Sequence, residues 1–450
     1  MPMLHLNQIR FYSLMLVVGV VTGCGAIFFR ELIGLLHNLL FYGQLSSHYD
    51  VLQHAAPSRW GAGIVLVPVL AAVIVAFLIK NYAPEARGTG VPAVIYAVYY
   101  ENERIRPMAG IIKALASSLS IGSGGSIGRE GPIIQMGGAL GSALGEAFKL
   151  ADWQRMTLIA CGASGGIAAM FNTPMGGLLF AIEILLPEIS ARTIIPVSIA
   201  TAVSTYMTYF LYGDVPLIPV DASVIAHISA YTAVSYSFLG MIVGLAAAFF
   251  IRGIYLIEEA FEKLPDNYYF RHMAGMFLVG LSMYFMLKVF GHYYIQGLGY
   301  ATIMDVMTST LTDPYFLIFL AALKLLSTGL TLGSGGSGGI FSPLLFIGAA
   351  LGGGFAEVYK LVFPGEMSMN LQLGAVAGMA GMVGASTGAP LTAIIMTAEL
   401  TNDMRIVLPL MMMVAIAYGV RRTLIKESIY TYRLTRKGSH VPDTWRSQPL

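Results

Sequence analysis

Charge is what this chain has least of. Only 11% of its 450 residues are Asp, Glu, Lys or Arg, against about 25% in a soluble domain. Hydrophobic residues make up 56%, and the mean hydropathy is +0.72. This balance excludes a soluble domain and leaves an integral membrane protein with room for many spans of roughly 20 residues. The net charge of +2 and the lack of a basic stripe exclude nucleic acid as a partner. Cysteine is nearly missing: Cys24 and Cys161 both sit in apolar runs, which excludes a disulfide framework. Val21-Thr22-Gly23-Cys24 resembles a lipoprotein cleavage box, yet Gly25 to Phe29 continue the apolar run. For the same reason the N-terminus does not read as a cleaved signal peptide.

Glycine, by contrast, is plentiful at 51 residues, and it is clustered. Gly122-Ser-Gly-Gly-Ser-Ile-Gly-Arg-Glu-Gly-Pro132 sets Arg129 and Glu130 among glycines, and Gly333-Ser-Gly-Gly-Ser-Gly-Gly-Ile-Phe-Ser-Pro343 repeats the pattern 211 positions later (122 to 333, 132 to 343). Lys113/Lys324, Gly137/Gly348, Glu146/Glu357 and Lys149/Lys360 keep that offset. Gly162/Gly378, Gly165/Gly381, Pro174/Pro390 and Glu183/Glu399 keep one of 216 (174 to 390), as a five-residue insertion in a connecting loop would produce. The chain is therefore duplicated. The expected units are a first membrane repeat over 1–225, a second over 226–437 and a polar tail over 438–450, with no soluble regulatory domain after it.

Apolar runs predict spans over 11–29, ended by Arg30 and Glu31, and over 61–79, with a polar loop at 42–60 between them. Further helices are expected at 109–121, 133–148, 155–186, 193–212, 231–251, 273–290, 315–332, 344–363, 371–398 and 406–420. Two halves with glycine- and proline-interrupted segments at matching places point to a transporter-like fold whose broken helices meet near the membrane midplane.

In hydrocarbon, non-helical backbone survives only where protein or a water-filled cavity surrounds it. The helix that follows such a break offers unpaired N–H groups and a positive dipole end, which suit an anion. Three breaks have this form: Gly88-Thr89-Gly90-Val91-Pro92, Gly128-Arg129-Glu130-Gly131-Pro132 and Gly339-Ile340-Phe341-Ser342-Pro343. Converging helix starts attract an anion without a full positive charge that would trap it, and conduction requires release as well as binding. A carboxylate at Glu130 competes with that anion, and protonation vacates the place. Close packing of glycines is the plainer reading of any one break, and adjacency argues against an Arg129–Glu130 ion pair. Lys113 and Lys324 either add positive potential or cap helix carbonyls.

These three motifs, in this order and over nearly the whole chain, resemble the signatures of the CLC chloride channel and transporter family, in its prokaryotic type without regulatory domains. The resemblance implies an all-α polytopic fold of about eighteen tilted or broken helices in two inverted repeats, forming a homodimer with one pore per subunit. It implies chloride as the transported anion, exchanged for protons or conducted passively, with no cofactor and no metal. Glu130 resembles the external gating and proton-carrying glutamate. The backbone N–H groups of Ile340 and Phe341 resemble the central anion ligands. Tyr430 falls where the family has a pore-lining tyrosine, with Tyr432 as the alternative. Thr89 stands where serine is usual, so a hydroxyl survives, and fluoride ranks below chloride. The internal proton-transfer glutamate aligns with Ile184, which cannot relay a proton; water or another acid such as Glu183 would then serve the inner path, or the protein is a channel. The implied setting is the bacterial inner membrane, with the Lys/Arg-rich C-terminal end (Arg421, Arg422, Lys426, Arg433, Arg436, Lys437) cytoplasmic.

Two other motifs compete. Gly333 to Gly338 with Glu357 matches a dinucleotide fingerprint, but no strand precedes it. Gly162-Ala-Ser164-Gly165 resembles the nucleophile motif of intramembrane serine proteases, which needs a histidine base; His227, His272 and His292 all lie at loop or helix edges. Neither makes the chain an enzyme.

Overall fold

The computed structural model describes residues 2–100, 104–213, 215–220, 230–363, 369–436 and 438–439. Among them the regular structure is helical, with two isolated bridges in place of any strand. The first half holds α1 (Pro2–Tyr42), α2 (Val67–Tyr82), α3 (Val91–Tyr99), α4 (Pro107–Gly122), α5 (Glu130–Ala147), α6 (Asp152–Phe171), α7 (Pro174–Phe180, continued by a π turn Ala181–Leu185) and α8 (Ala191–Tyr212). The second holds α9 (Ala230–Glu262), α10 (Tyr268–Phe290), α11 (Tyr300–Met307), α12 (Pro314–Gly333), α13 (Phe341–Val362), α14 (Leu371–Thr387), α15 (Pro390–Thr401), α16 (Val407–Leu424) and α17 (Ile429–Arg436). Helices α1 to α8 recur in order as α9 to α16. Eight of the described helical stretches are long and apolar enough to cross a membrane. The expected class, an all-α membrane fold of two inverted repeats with broken helices, is the one observed. The boundary expected at 225/226 and residues 440–450 of the tail lie outside the described residues.

Several expected boundaries are corrected. Arg30 and Glu31 do not end the first span; α1 runs through them to Tyr42. The Arg30 guanidinium lies 4.0 Å from the centre of the Tyr212 ring, and the Tyr212 hydroxyl donates to the Glu31 carboxylate at 2.7 Å, so α8 takes up both charges. The run 155–186 is broken at Asn172, left-handed at φ 55°, and Thr173, because Pro174 disfavours helical backbone in the residue before it. The run 371–398 is broken in the same way at Gly388 and Ala389 before Pro390. The short helices α11 and α17 went unexpected, whereas α3 is the helix expected to follow the Gly88–Pro92 break. The five-residue insertion is not confined to a loop: α13 has 22 residues where α5 has 18, while 364–368 lie outside the described residues.

The repeat is visible in reciprocal contacts. The Glu183 carboxylate accepts from the backbone N–H groups of Leu391 (3.0 Å) and Thr392 (2.7 Å) at the start of α15. Glu399 on α15 accepts from those of Met175 (2.9 Å) and Gly176 (2.7 Å) at the start of α7. Each helix thus carries the carboxylate that caps the other. Lys113 Nζ donates to the carbonyls of Ala86, at 3.0 Å, and Gly88. Lys324 Nζ donates to Ile295 at 3.0 Å and Gly297 at 2.8 Å. The lysines therefore cap carbonyls in the loops ahead of α3 and α11. Helices α5 and α6 approach so closely at Gly137 and Gly162 that a Cβ on either would fall on the carbonyl of the other, and Gly348 and Gly378 repeat this between α13 and α14.

Candidate functional site

The three glycine-rich breaks converge. Gly88 and Gly90 take φ of 82° and 86°, a conformation glycine adopts without cost. Gly88 N–H donates to the Gly336 carbonyl at 2.9 Å, and Gly338 N–H returns to that of Gly88 at 3.2 Å. Gly128 and Gly339 exchange both of their hydrogen bonds, at 2.8 and 2.7 Å. These bonds knit the approaches to α3, α5 and α13 into one backbone knot, which answers the requirement that buried backbone be satisfied. Pro92 is in the first turn of α3; Pro132 and Pro343 are the third residues of α5 and α13, where an N–H has no intrahelical partner.

Glu130 opens α5 and is 2% exposed. Its carboxylate accepts from the N–H of Phe341, the first residue of α13, and lies 3.4 Å from the Ser342 hydroxyl, which donates to it. A Cβ at Gly128 or Gly339 would fall on the carboxylate itself, so both positions must be glycine for it to seat there. The carboxylate therefore rests on a free amide at a positive helix end, where an anion is favoured. Arg129 turns away. It donates to the Met170 carbonyl at 3.3 Å, with its guanidinium 5.5 Å from the ring centres of both Phe171 and Tyr300; no Arg129–Glu130 ion pair occurs among the described residues.

Thr89 and Ile340 line one small cavity of about 20 Å³ together with Tyr255, Glu258 and Arg433. Arg433 and Glu258 pair there at 3.4 Å. Tyr430, 1% exposed, is in the core, whereas Tyr432 stacks on Tyr255 at 4.6 Å. The structure thus gathers Glu130 with Gly128, Gly339 and Phe341, joins Thr89 to Ile340, and buries Tyr430 rather than Tyr432. Sequence reasoning missed Ser342 and the Arg433–Glu258 pair. Ser342 was findable, being the repeat counterpart of Gly131; the ion pair joins positions 175 residues apart that no local pattern connects.

Ile184 is buried in the π turn after α7. Glu183, weighed as its substitute, holds the start of α15 with both oxygens and also accepts from the Thr392 hydroxyl at 2.6 Å. The competing motifs lose their support. No strand precedes Gly333 among the described residues. The Ser164 hydroxyl donates to Ala160 O on its own helix at 2.5 Å. His272 contacts the Ser334 hydroxyl at 3.0 Å, His292 stacks on His54, and His227 lies outside the described residues. No group of three or more His, Cys, Asp or Glu suited to a metal occurs among the described residues.

A family model described as voltage gated chloride channel matches residues 71–422. The H(+)/Cl(-) exchange transporter ClcA of Vibrio cholerae serotype O1 is 29% identical over 444 residues, covering 94% of this chain and 88% of the relative. That of Salmonella arizonae is 28% identical, covering 88% and 81%. Among solved structures, the crystal structure of a slow cyanobacterial Cl-/H+ antiporter is similar at a TM-score of 0.80 and 25% identity, covering 95% of this chain and 98% of the other. That of a CLC-type fluoride/proton antiporter has a TM-score of 0.77 at 22% identity, covering 94% and 98%, and bears on the fold alone.

Proposed function

The chain belongs to the voltage gated chloride channel family, and from that premise we propose that it exchanges chloride for protons across a membrane, with Glu130 as the group that alternately blocks the anion path and carries the proton. One observation carries the reading: the Glu130 carboxylate occupies the amide at the start of α13, the place a permeant anion would take. A protonated, neutral carboxyl no longer competes for a positive helix end, so proton uptake and anion entry are linked at one seat. The amides of Ile340 and Phe341, the Thr89 hydroxyl and Tyr430 would hold the anion.

Chloride is the favoured cargo because the curated relatives are named for it; the fluoride antiporter supports the fold only. The family resemblance supports a homodimer with one pore per subunit, and the exposed Arg422 and Lys426 support a cytoplasmic C-terminal end in a bacterial inner membrane. A passive channel is the second reading, favoured by Ile184 at the position of the internal proton glutamate. The zero-flux voltage of the purified protein in liposomes under opposed chloride and proton gradients tests the choice. Displacement from the chloride Nernst value by the proton gradient is expected; a voltage held at the chloride value at every pH makes the protein a channel.

A further inference from the structure

Proton exchange needs an inner route to Glu130, and neither Ile184 nor the capped Glu183 offers one. A second cavity does. It has a volume of about 1060 Å³ and reaches Leu434 and Ser439 at the C-terminal end of the chain, the end read above as cytoplasmic. Its charged lining is Glu85, Arg87, Arg104, Arg106 and Arg433. Glu85 is paired with Arg106 and Arg433 with Glu258.

At its inner end the cavity meets Gly90 and Gln135. Gln135 stands on α5, five residues beyond Glu130, a rise of about 7.5 Å along the helix. It is completely buried. Its Nε2 donates to the Glu85 carbonyl at 3.3 Å, which fixes the amide orientation, while its Oε1 has no hydrogen-bond partner among the described residues. A buried acceptor left unpaired costs about 1–3 kcal/mol unless water reaches it. A Cβ added at Gly90 would stand 3.0 Å from that oxygen, 2.8 Å from the carbonyl of Gly131 and 3.1 Å from Lys113 Cε. The unpaired oxygen therefore lies beside the first turn of α5, next in sequence to Glu130. The charged group facing this point from α4 is Lys113, tied to the carbonyls of Ala86 and Gly88.

We infer that protons reach Glu130 from this cavity along water held by Gln135 Oε1, bypassing Ile184. The inference rests on the exchange reading above. Gln135 is a positioning residue: its amide oxygen accepts a hydrogen bond from water and carries no proton itself. A hydronium proton from the cavity passes between waters, and the last water gives it to the Glu130 carboxylate. Only O–H bonds form and break, and Glu130 is left neutral.

The test compares wild type, Gln135→Leu, Gln135→Glu and Ala93→Phe in liposomes, reading chloride flux and zero-flux voltage under a proton gradient. Ala93 is half-buried and lines the same cavity from α3, so its enlargement narrows the route while leaving the sequence of α5 unchanged. Gln135→Leu and Ala93→Phe are expected to conduct chloride with the voltage moved to the chloride Nernst value, and Gln135→Glu, which keeps an acceptor oxygen, to stay displaced like wild type. Should Gln135→Leu not fold, Ala93→Phe decides alone. A coupled wild type with either blocked variant equally coupled overturns this route and leaves the exchange reading standing. An uncoupled wild type overturns both.

Discussion

The two halves differ most where they are most alike. Glu130 and Phe341 hold equivalent positions, 211 residues apart, each the first residue of a helix that follows a glycine knot. In the first half the position supplies a carboxylate and in the second a backbone amide, and the two are bonded to each other across the junction of the repeats. A symmetric duplication would have placed two identical groups face to face. Divergence at one position instead made a donor and an acceptor, the pair that the proposed anion would separate. Away from the junction the halves have kept their symmetry: Lys113 and Lys324 cap equivalent carbonyls, and Glu183 and Glu399 cap each other's helices.

Removing the asymmetry should have the largest effect. Glu130→Gln is expected to abolish proton coupling and leave chloride flux, seen as a zero-flux voltage fixed at the chloride value; pH-driven flux unchanged in the variant would end the role proposed for Glu130. Next in size, Gly339→Ala should evict the carboxylate from its seat, with a packing cost of about 1–3 kcal/mol and weakened coupling. Gly128→Ala should evict it likewise from the other half, and both should lower the unfolding temperature in detergent.

The capping carboxylates should tell the halves apart only slightly. Glu183→Ala and Glu399→Ala each leave two helix-start amides unpaired, at about 1–3 kcal/mol per group. Glu183 should cost more, because Thr392 adds a third bond; thermal unfolding measures the order, and the reverse order would break the argument. Smallest in stability but informative in flux is the lysine pair. Lys113→Met and Lys324→Met should destabilise by similar amounts, while only Lys113→Met slows chloride flux, since it alone braces the loop carrying Thr89. Equal flux in the two variants would detach that loop from the pathway.

The duplication and the three breaks were legible because glycine and proline spacing survives in sequence. The breaks at Asn172–Thr173 and Gly388–Ala389 were readable from Pro174 and Pro390 but were overrun, since the apolar composition continues unbroken across them. A further repeat was not legible: Gly88 and Gly90 match Gly297 and Gly299, all with positive φ, but only two glycines in that stretch agree, and the kinship shows first in the carbonyls the two lysines hold. Arg30 and Glu31 misled because charges end a span only when nothing inside the protein answers them, and Tyr212 does. The seat of Glu130 was foreseeable as a helix start. Its amide partner could be assigned from the family pattern, but not its bond to the carboxylate, which requires knowing that the two knots touch. Gln135 gave no sign at all, because an unpaired oxygen is a property of neighbours rather than of sequence.

The glycine contacts between α5 and α6, and between α13 and α14, have a mechanical consequence. Helices that touch backbone to backbone have no layer of side chains to re-sort between them, so one cannot slide along the other without carbonyls colliding. The scaffold around the site behaves as a frame, and the lightest part within it is a single side chain of a few atoms. For the exchange proposed above, this leaves a side chain at the centre, rather than a wall helix, as the part that would move.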